Sequence, residues 1–278
     1  MNRAVFLVSL AVLCVMLVAP ARGQKLYGAV GSTLYNIDPG TGVASNAKTI
    51  TIGGVPTIIT ALECGPGPRP SLYGVVSIED PGLYKNTLVT IDTFTGAATI
   101  VTPINYGINT PTIAFDKQGT LYGIARLGAA TEQLVTIAMN GAGTPIGSVF
   151  DLDISGMDSC KGWMLQGGGL WTNSLVTINP GDGSRVIVGP LGVDPDREGW
   201  DYWRKTGTMY ALMQHNAVGL EPTLFRINLA TGQAVKIGEL GLGNIPDASI
   251  GLASVPEPGL VALAAVPALA LLRLRRRR

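Results

Sequence analysis

Hydrophobic and polar residues alternate in short runs through the middle of the chain, and the same runs return every roughly 40 to 50 residues. One run, Leu-Tyr-Gly or a variant of it, begins at Leu26, Leu72, Leu121, Leu170 and Met209. Because successive side chains of a strand point to opposite faces, this period of two predicts strands rather than helices. A repeat of this length matches one four-stranded blade of a β-propeller.

Each repeat also contains a second run, a turn that ends in glycine, and a further strand. The second run, of the form Leu-Val-Thr-Ile-Asp, begins at Leu34, Leu88, Leu134, Leu175 and Leu224. The turns end at Gly42, Gly96, Gly141, Gly183 and Gly232. Glycine supplies the positive φ that a tight hairpin requires. Strands such as 97–102 follow the turns and strands such as 57–63 precede the next Leu-Tyr-Gly, so four strands per repeat are predicted.

The two ends of the repeat region complement each other. Leu26 has no strand before it, and residues 248–254 predict a strand with no Leu-Tyr-Gly after it. The C-terminal strand can therefore complete the first blade and remove an exposed sheet edge. We predict an all-β fold, a β-propeller of five four-stranded blades over residues 24–254. Because the fourth repeat is unevenly spaced, a six-bladed ring and an irregular pair of sandwiches are the alternatives.

The N-terminus predicts a signal peptide. A charged start at Arg3 precedes an apolar stretch over residues 4–18. Ala19, Ala21 and Gly23 then satisfy the small-residue rule for cleavage, which predicts a removable signal helix within residues 1–23.

The C-terminus predicts a short transmembrane helix. Residues 259–272 carry no charge, and arginines follow them directly. A helix of this length spans about 21 Å, which is short for a hydrocarbon core of about 30 Å and suits a temporary anchor. The arginines favour the cytoplasmic side of the membrane.

The last 24 residues, 255–278, resemble the PEP-CTERM sorting domain. The resemblance rests on a polar motif, an apolar helix and a basic terminus in that order, and the polar and basic residues are Pro256, Glu257, Pro258, Arg273, Arg275, Arg276, Arg277 and Arg278. Members of that family are exported by the Sec machinery and are cut near Pro-Glu-Pro by an exosortase, a transpeptidase of the inner membrane. The resemblance implies a membrane precursor that is released to the cell surface or the extracellular matrix, in bacteria that make exopolysaccharide. A tail that is never cut, which would leave a permanent anchor, is the alternative.

Composition separates the body of the chain from its two ends. When Arg3, Arg22, Glu257 and the five tail arginines are set aside, the 20 basic and 19 acidic residues leave a body of net charge −5. An acidic body argues against nucleic-acid binding. Only 14% of the residues are charged and 37 are glycine, which is typical of an extracellular β-protein.

The cysteine count leaves two interpretations open. Cys14 lies in the signal peptide, so Cys64 and Cys160 remain in the body. They either form a disulfide in an oxidising compartment or are two buried, inert thiols.

Candidate catalytic chemistry is sparse in this sequence. His215 is the one histidine, so neither a Ser-His-Asp arrangement nor a zinc site of the usual kind is indicated, and no cofactor is predicted. Two groups of carboxylates could bind calcium, although solvated loops explain them more simply, and these are Asp151, Asp153 and Asp158, and Asp194, Asp196, Glu198 and Asp201. The second group also supports a rival hypothesis, a glycan hydrolase or lyase, if two of its carboxylates converge on one pocket.

The aromatic residues suggest a binding surface. Trp200, Tyr202 and Trp203 lie close together in sequence, and flat aromatic faces suit sugar rings. Trp200 and Tyr202 would share one face of a strand and Trp203 the other, so at least one face should be core. The sequence therefore predicts an exported, non-enzymatic module with a structural or adhesive task, which contacts polysaccharide or another surface protein.

Overall fold

The structure is a computed structural model that describes residues 24–66, 70–128, 131–150, 154–160, 164–169, 173–215, 221–245 and 248–256. These residues form 22 strands and no helix. Within these ranges, nothing has the length and apolar character of a membrane-spanning helix. The predicted signal peptide, the predicted transmembrane helix and most of the sorting motif lie outside the described residues.

The strands are numbered in chain order. They are β1 Gln24–Val30, β2 Thr33–Ile37, β3 Ala44–Thr49, β4 Thr51–Ile52, β5 Val55–Pro56, β6 Ile59–Cys64, β7 Leu72–Val76, β8 Thr87–Ile91, β9 Ala97–Pro103, β10 Asn109–Phe115, β11 Leu121–Gly128, β12 Thr131–Ile137, β13 Gly143–Phe150, β14 Ile154–Cys160, β15 Met164–Gly169, β16 Ser174–Ile178, β17 Arg185–Pro190, β18 Pro195–Trp203, β19 Thr208–His215, β20 Thr223–Ile227, β21 Ala234–Glu239 and β22 Ile250–Pro256.

The described strands pair into sheets built on one antiparallel, four-stranded pattern. Four sheets have four strands, in the orders β22-β1-β2-β3, β10-β11-β12-β13, β14-β15-β16-β17 and β18-β19-β20-β21. The remaining sheet has the same pattern in β6 to β9 and adds the short strands β4 and β5. β22 lies beside β1, so the last strand of the chain completes the first sheet. The all-β, propeller-like arrangement predicted from the repeats is confirmed.

The repeated leucines form the core between sheets. In the second strand of their sheets, Leu26, Leu72 and Leu121 are each 1% exposed. In the third strands, Leu34, Leu88, Leu134, Leu175 and Leu224 are buried to the same degree. Burying one such side chain contributes about 1.5 to 3 kcal/mol. The hydrophobic pattern of the sequence is therefore the pattern of the core.

The glycine that ends each turn contacts the sheet before it. Gly232, at a φ of 84°, is so close to β17 that an added Cβ would lie 2.2 Å from the carbonyl oxygen of Gly189. The equivalent neighbours of the other four turns are Gly42 with Gly238, Gly96 with Thr49, Gly141 with Pro103 and Gly183 with Ile146. Each pair of residues brings one sheet into contact with the last strand of the four-stranded unit before it. Because the first sheet contacts the last through Gly42, the five contacts form a closed circle.

The aspartates that begin two of these turns accept hydrogen bonds from backbone N–H groups of the same turn. Asp38 Oδ1 accepts hydrogen bonds from the N–H groups of Gly40 and Thr41 at 2.8 and 2.9 Å. Asp92 accepts the same pair of bonds in the second repeat. These bonds stabilise the ionised carboxylate and hold the pKa of Asp38 and of Asp92 below the usual value. Turn geometry accounts for the positions of these carboxylates.

Candidate functional site

The innermost strand of each sheet lies next to the innermost strands of its neighbours. β6 contacts β10, β10 contacts β14, and β14 contacts β18. β22 fits between β18 and β6, because glycines allow close backbone contact there: Gly199 lies against Gly251, and Gly251 lies against Leu62. The five innermost strands therefore surround a common axis.

Four of these innermost strands are irregular near their first residue. The pairing of β6 with β7 skips Thr60, the pairing of β14 with β15 skips Ser155, and that of β18 with β19 skips Asp196. The pairing of β10 with β11 shifts between Asn109 and Thr112. A bulge re-aims the side chain of the extra residue, and bulges are common beside binding sites. The same end of each strand thus presents residues that the sheet ladder does not use.

These irregular ends line a cavity of about 270 Å³. All five innermost strands, or the residues just before them, contribute to its wall. Two charged residues from outside these strands, Glu79 and Arg126, complete it. The lining residues are Thr60, Glu79, Asn109, Pro111, Arg126, Ser155, Asp196, Arg197, Glu198, Ser249 and Ile250. Most of them are polar, so the cavity suits a polar group rather than an apolar one.

Ion pairs hold two sides of the cavity. Arg197 Nη2 lies 3.0 Å from Glu79 Oε1, and both side chains are partly exposed. Glu79 Oε2 accepts a hydrogen bond from the Ser249 hydroxyl at 3.3 Å, so this chain of contacts joins β18, the β7–β8 loop and the approach to β22. Arg126 pairs with the buried carboxylate of Glu132 at 3.3 Å. The exposed pair of Arg197 with Glu79 contributes little to stability, so its main effect is to orient the guanidinium group.

A second polar group lies deeper along the same strands, near their last residues. It consists of three buried carboxyl groups, Glu63, Asp158 and Asp201, with Arg204 beside them. Asp158 accepts hydrogen bonds from the N–H groups of Ser159 and Tyr202, and so joins β14 to β18. Asp201 Oδ1 accepts the N–H of Ser254 at 2.6 Å, and so joins β18 to β22. We call Glu63, Asp158, Asp201 and Arg204 the axial carboxyl cluster.

Burial dominates the ionisation of this cluster. It raises the pKa of Asp201 to about 7 and that of Asp158 to about 6, and it raises the pKa of Glu63 well above its ordinary value. The neighbouring carboxylates add to this for Glu63 and Asp201, while Arg204 opposes it. A hydrogen bond joins Glu63 and Asp158, and it favours the proton on Glu63. Burial therefore favours the protonated form of each of these carboxyl groups.

The axial carboxyl cluster ties neighbouring strands together. Arg204 Nη2 donates to the carbonyl oxygen of Phe115 and to the Ser159 hydroxyl, each at 3.0 Å. Ser159 in turn donates to the Phe115 carbonyl at 2.8 Å. None of the four cluster residues lines the cavity described above. The contacts of Arg204 join β10 and β14 to the end of β18.

The fold distributes the described carboxylates of the two predicted groups among three places. Asp196 and Glu198 line the cavity, Asp158 and Asp201 lie in the axial carboxyl cluster, and Asp194 accepts a hydrogen bond from Asn173 at 2.8 Å. Asp151 and Asp153 lie outside the described residues. In the part of the chain that the structure describes, no three His, Cys, Asp or Glu residues converge in a way that could hold a metal ion.

The aromatic group is core, which corrects its interpretation as a glycan surface. Trp200 is 2% exposed and packs on Gly156, where an added Cβ would lie 1.7 Å from the indole ring. Trp203 is 8% exposed and packs against Tyr210, with ring centroids 5.7 Å apart. Tyr202 packs partly buried against the same cluster as Trp200. An innermost strand has a neighbouring sheet on each face, so both faces of β18 are covered.

Cys64 carries a free thiol whose Sγ lies 3.6 Å from the carbonyl oxygen of Gly65. Burial raises the pKa of this thiol, so the unreactive protonated form is favoured. The side chain of Cys160 is outside the described set, and the free thiol of Cys64 does not form the disulfide that was one of the two interpretations. The side chain of His215 is also outside that set.

Sequence reasoning missed most of the cavity. Asp196 and Glu198 were candidates, whereas Asn109, Ser155 and Arg126 were not. A polar residue at the start of each innermost strand was the available signal, and it becomes visible only when the repeats are aligned on those strands.

Comparison with known proteins supports the fold. No family model matches the chain, and no curated protein matches it. A chain in the crystal structure of a nidogen/laminin complex aligns with 84% of this chain and 98% of its own length, at 13% identity and a TM-score of 0.52. A protein of unknown function from Bacteroides thetaiotaomicron VPI-5482 aligns over 78% of this chain and 50% of its own, at 13% identity and a TM-score of 0.43. A protein of unknown function from Bacteroides caccae aligns over 77% of this chain and 72% of its own, at 11% identity and a TM-score of 0.44. At 13% identity, the first likeness shows a shared fold and no more.

Proposed function

We propose that the protein is an exported, five-bladed β-propeller that acts as a binding module at the cell surface or in the extracellular matrix. The observation that carries this proposal is the polar cavity, to which all five innermost strands or their approaches contribute. The closed circle of turn contacts supports the blade number. The fold is shared with a chain from a nidogen/laminin complex, which is an assembly of two proteins, and that likeness is compatible with an adhesive task.

A binding role fits the cavity better than glycan hydrolysis does. The hydrolase hypothesis is favoured by two carboxyl groups at a suitable separation that converge on one pocket together with Trp203. Asp196 and Glu198 share the cavity with Arg126 and Arg197, but Trp203 is buried in the core and is not among the described residues that line the cavity. The carboxyls with raised pKa values lie in the axial carboxyl cluster instead, where they bond to backbone N–H groups.

The binding role predicts that a charge change in the cavity weakens attachment. Asp196→Lys, in the full exported protein, is expected to lower severalfold the fraction retained on the matrix of the producing cells, because the new ammonium occupies the cavity. Asp194→Lys is the matched control, since Asp194 lies two residues earlier and outside the cavity. Retention is measured by sedimentation and immunoblotting after circular dichroism has confirmed folding. Equal retention of both variants would exclude the cavity as the contact site.

We propose that the two ends of the chain direct sorting. The signal over residues 1–23 exports the chain, the apolar helix over 259–272 holds it in the inner membrane, and an exosortase cuts near Pro256-Glu257-Pro258. The protein then moves to the surface or the matrix, whereas an uncut tail would leave it permanently anchored.

Sorting is tested by expression in two hosts, one with and one without an exosortase. With the enzyme, we expect an intact mass that lacks the residues after the Pro-Glu-Pro region, in the soluble or matrix fraction. Without it, the full tail is expected in the membrane fraction. A full tail in the membrane of both hosts would contradict processing and favour the permanent anchor.

A further inference from the structure

The cavity is surrounded by more negative than positive charge. Arg126 is paired with Glu132, and Arg197 with Glu79, so these two pairs balance. Asp196 also lines the cavity and adds one carboxylate to the balanced set. An excess of carboxylates in a concave, partly desolvated site attracts cations and repels anions. The charge balance therefore favours a cationic ligand.

An unpartnered buried oxygen supports the same conclusion independently of charge. Asn109 lines the cavity and is only 7% exposed, yet its Oδ1 has no hydrogen-bond donor among the described residues. The Ser155 hydroxyl, in the bulge of the next innermost strand, lines the cavity and also has no partner within that set. Buried polar groups in folded proteins are nearly always hydrogen-bonded. Asn109 Oδ1 can only accept, so its missing partner is a donor.

The strands that supply these acceptors bear on the choice among cations. Asn109, Ser155 and Asp196 come from three different innermost strands, β10, β14 and the bulge of β18. An ammonium group has three donors on one compact atom, which suits acceptors placed around it. A guanidinium group is planar and suits acceptors along one edge. The cavity of about 270 Å³ has room for a single side-chain-sized group.

We propose that this cavity binds a primary ammonium group on an alkyl arm, with Asn109 and Asp196 as its main acceptors. The inference rests on the proposed function, because it names the chemistry that the contact site recognises. The group can come from a lysine side chain of a partner protein or from a free alkylamine. Arg197 lies beside this position and competes with the ligand for Glu79.

The test is calorimetric titration of the full exported protein with n-butylamine, n-butanol and butyrate. We expect saturable binding of n-butylamine alone, and weaker binding as salt is raised, because screening reduces the attraction. Asp196→Asn should weaken binding about tenfold, as expected when one charge-assisted hydrogen bond is lost. Arg197→Ala should strengthen it, since Glu79 becomes available. Asp194→Asn, which makes the same change outside the cavity, should leave the affinity unchanged.

Several outcomes would overturn the proposal. One is that n-butylamine gives no saturable heat, and another is that n-butanol binds as tightly as n-butylamine. A third is an equal loss of affinity in Asp194→Asn and Asp196→Asn while both variants keep the circular dichroism of the wild type. A peptide with an internal lysine separates the two sources. Tighter binding of the peptide than of n-butylamine, lost when the lysine is acetylated, assigns a partner protein, and equal binding assigns a free amine.

Different experimental results would contradict the ammonium assignment and the proposed function. If Asp196→Lys abolishes matrix retention but n-butylamine neither binds nor competes, the cavity is the contact site and the ammonium assignment is wrong. If neither variant at position 196 changes retention, the proposed function itself fails.

Discussion

Gly232→Ala is expected to destabilise the protein by about 2 to 5 kcal/mol, from the sum of two costs. The φ of 84° at this position disfavours any side chain with a Cβ. The added Cβ would also lie 2.2 Å from the Gly189 carbonyl oxygen and 2.6 Å from its carbon. Because these are backbone atoms of the adjacent sheet, relief requires the two sheets to separate. The measurement is the urea midpoint of unfolding.

Gly192→Ala separates the two costs. Its φ is 74°, close to that of Gly232, but nothing lies within 4 Å of an added Cβ. We expect only the conformational cost of about 1 to 2 kcal/mol there. Equal losses for the two variants would show that the contact between sheets contributes nothing beyond backbone conformation. Gly42→Ala should behave like Gly232→Ala, because its Cβ would lie 2.5 Å from the Gly238 carbonyl oxygen.

The stability of the protein is expected to fall as pH rises from about 4 to about 7. Asp158 and Asp201 have folded pKa values of about 6 and about 7 against an ordinary value of 3.8, and the pKa of Glu63 is raised as well. The folded state therefore keeps protons that the unfolded state releases. This stabilisation is complete at a pH below the ordinary pKa and is lost as the pH rises through the folded pKa values. The free energy of unfolding changes by on the order of a few kcal/mol. Urea unfolding across this pH range measures it.

Asp201→Asn tests the origin of that pH dependence. The amide oxygen can still accept the N–H of Ser254, while the buried negative charge is removed. We expect the variant to be more stable than the wild type at pH 8 and its stability to depend less on pH. Asp194→Asn, at a carboxylate that contacts Asn173 outside the cluster, should leave the slope unchanged. An unchanged slope in Asp201→Asn would assign the effect to other groups.

The turn carboxylates produce the opposite trend at lower pH. The pKa values of Asp38 and Asp92 are lowered by backbone N–H groups, so their contribution is present above the ordinary value and is lost as pH falls further. Together with the axial carboxyl cluster, this places the expected maximum of stability near pH 4 to 5, where the cluster is protonated and the turns are ionised.

The repeat pattern predicted the strands because equivalent strands of every repeat bury their apolar side chains at the same positions. Leu88 and Leu134, at equivalent positions of two repeats, are fully buried, and the glycines at the turns have the positive φ that was predicted. The aromatic group shows the limit of this reasoning. Alternation assigned Trp200 and Trp203 to opposite faces, but it could not reveal that a neighbouring sheet covers each face.

The cavity was beyond sequence reasoning for a different reason. A bulge changes the direction of a side chain without changing the residue types around it, so the positions of Thr60 and Ser155 carry no signal in a two-residue period. The carboxyl cluster likewise joins Glu63 to Asp158, which are far apart in the chain.

The sequence by itself determined the strand repeat and the turns, because these depend on neighbours within one repeat. It also marked the leucines of the core, because every repeat places them at the same position. It also contains the terminal segments on which the proposed export and sorting rest. Only the tertiary structure decided which carboxylates are buried together and which face the cavity. The physical reason is that strands from all five sheets meet around one axis, so burial and charge there depend on residues from every repeat.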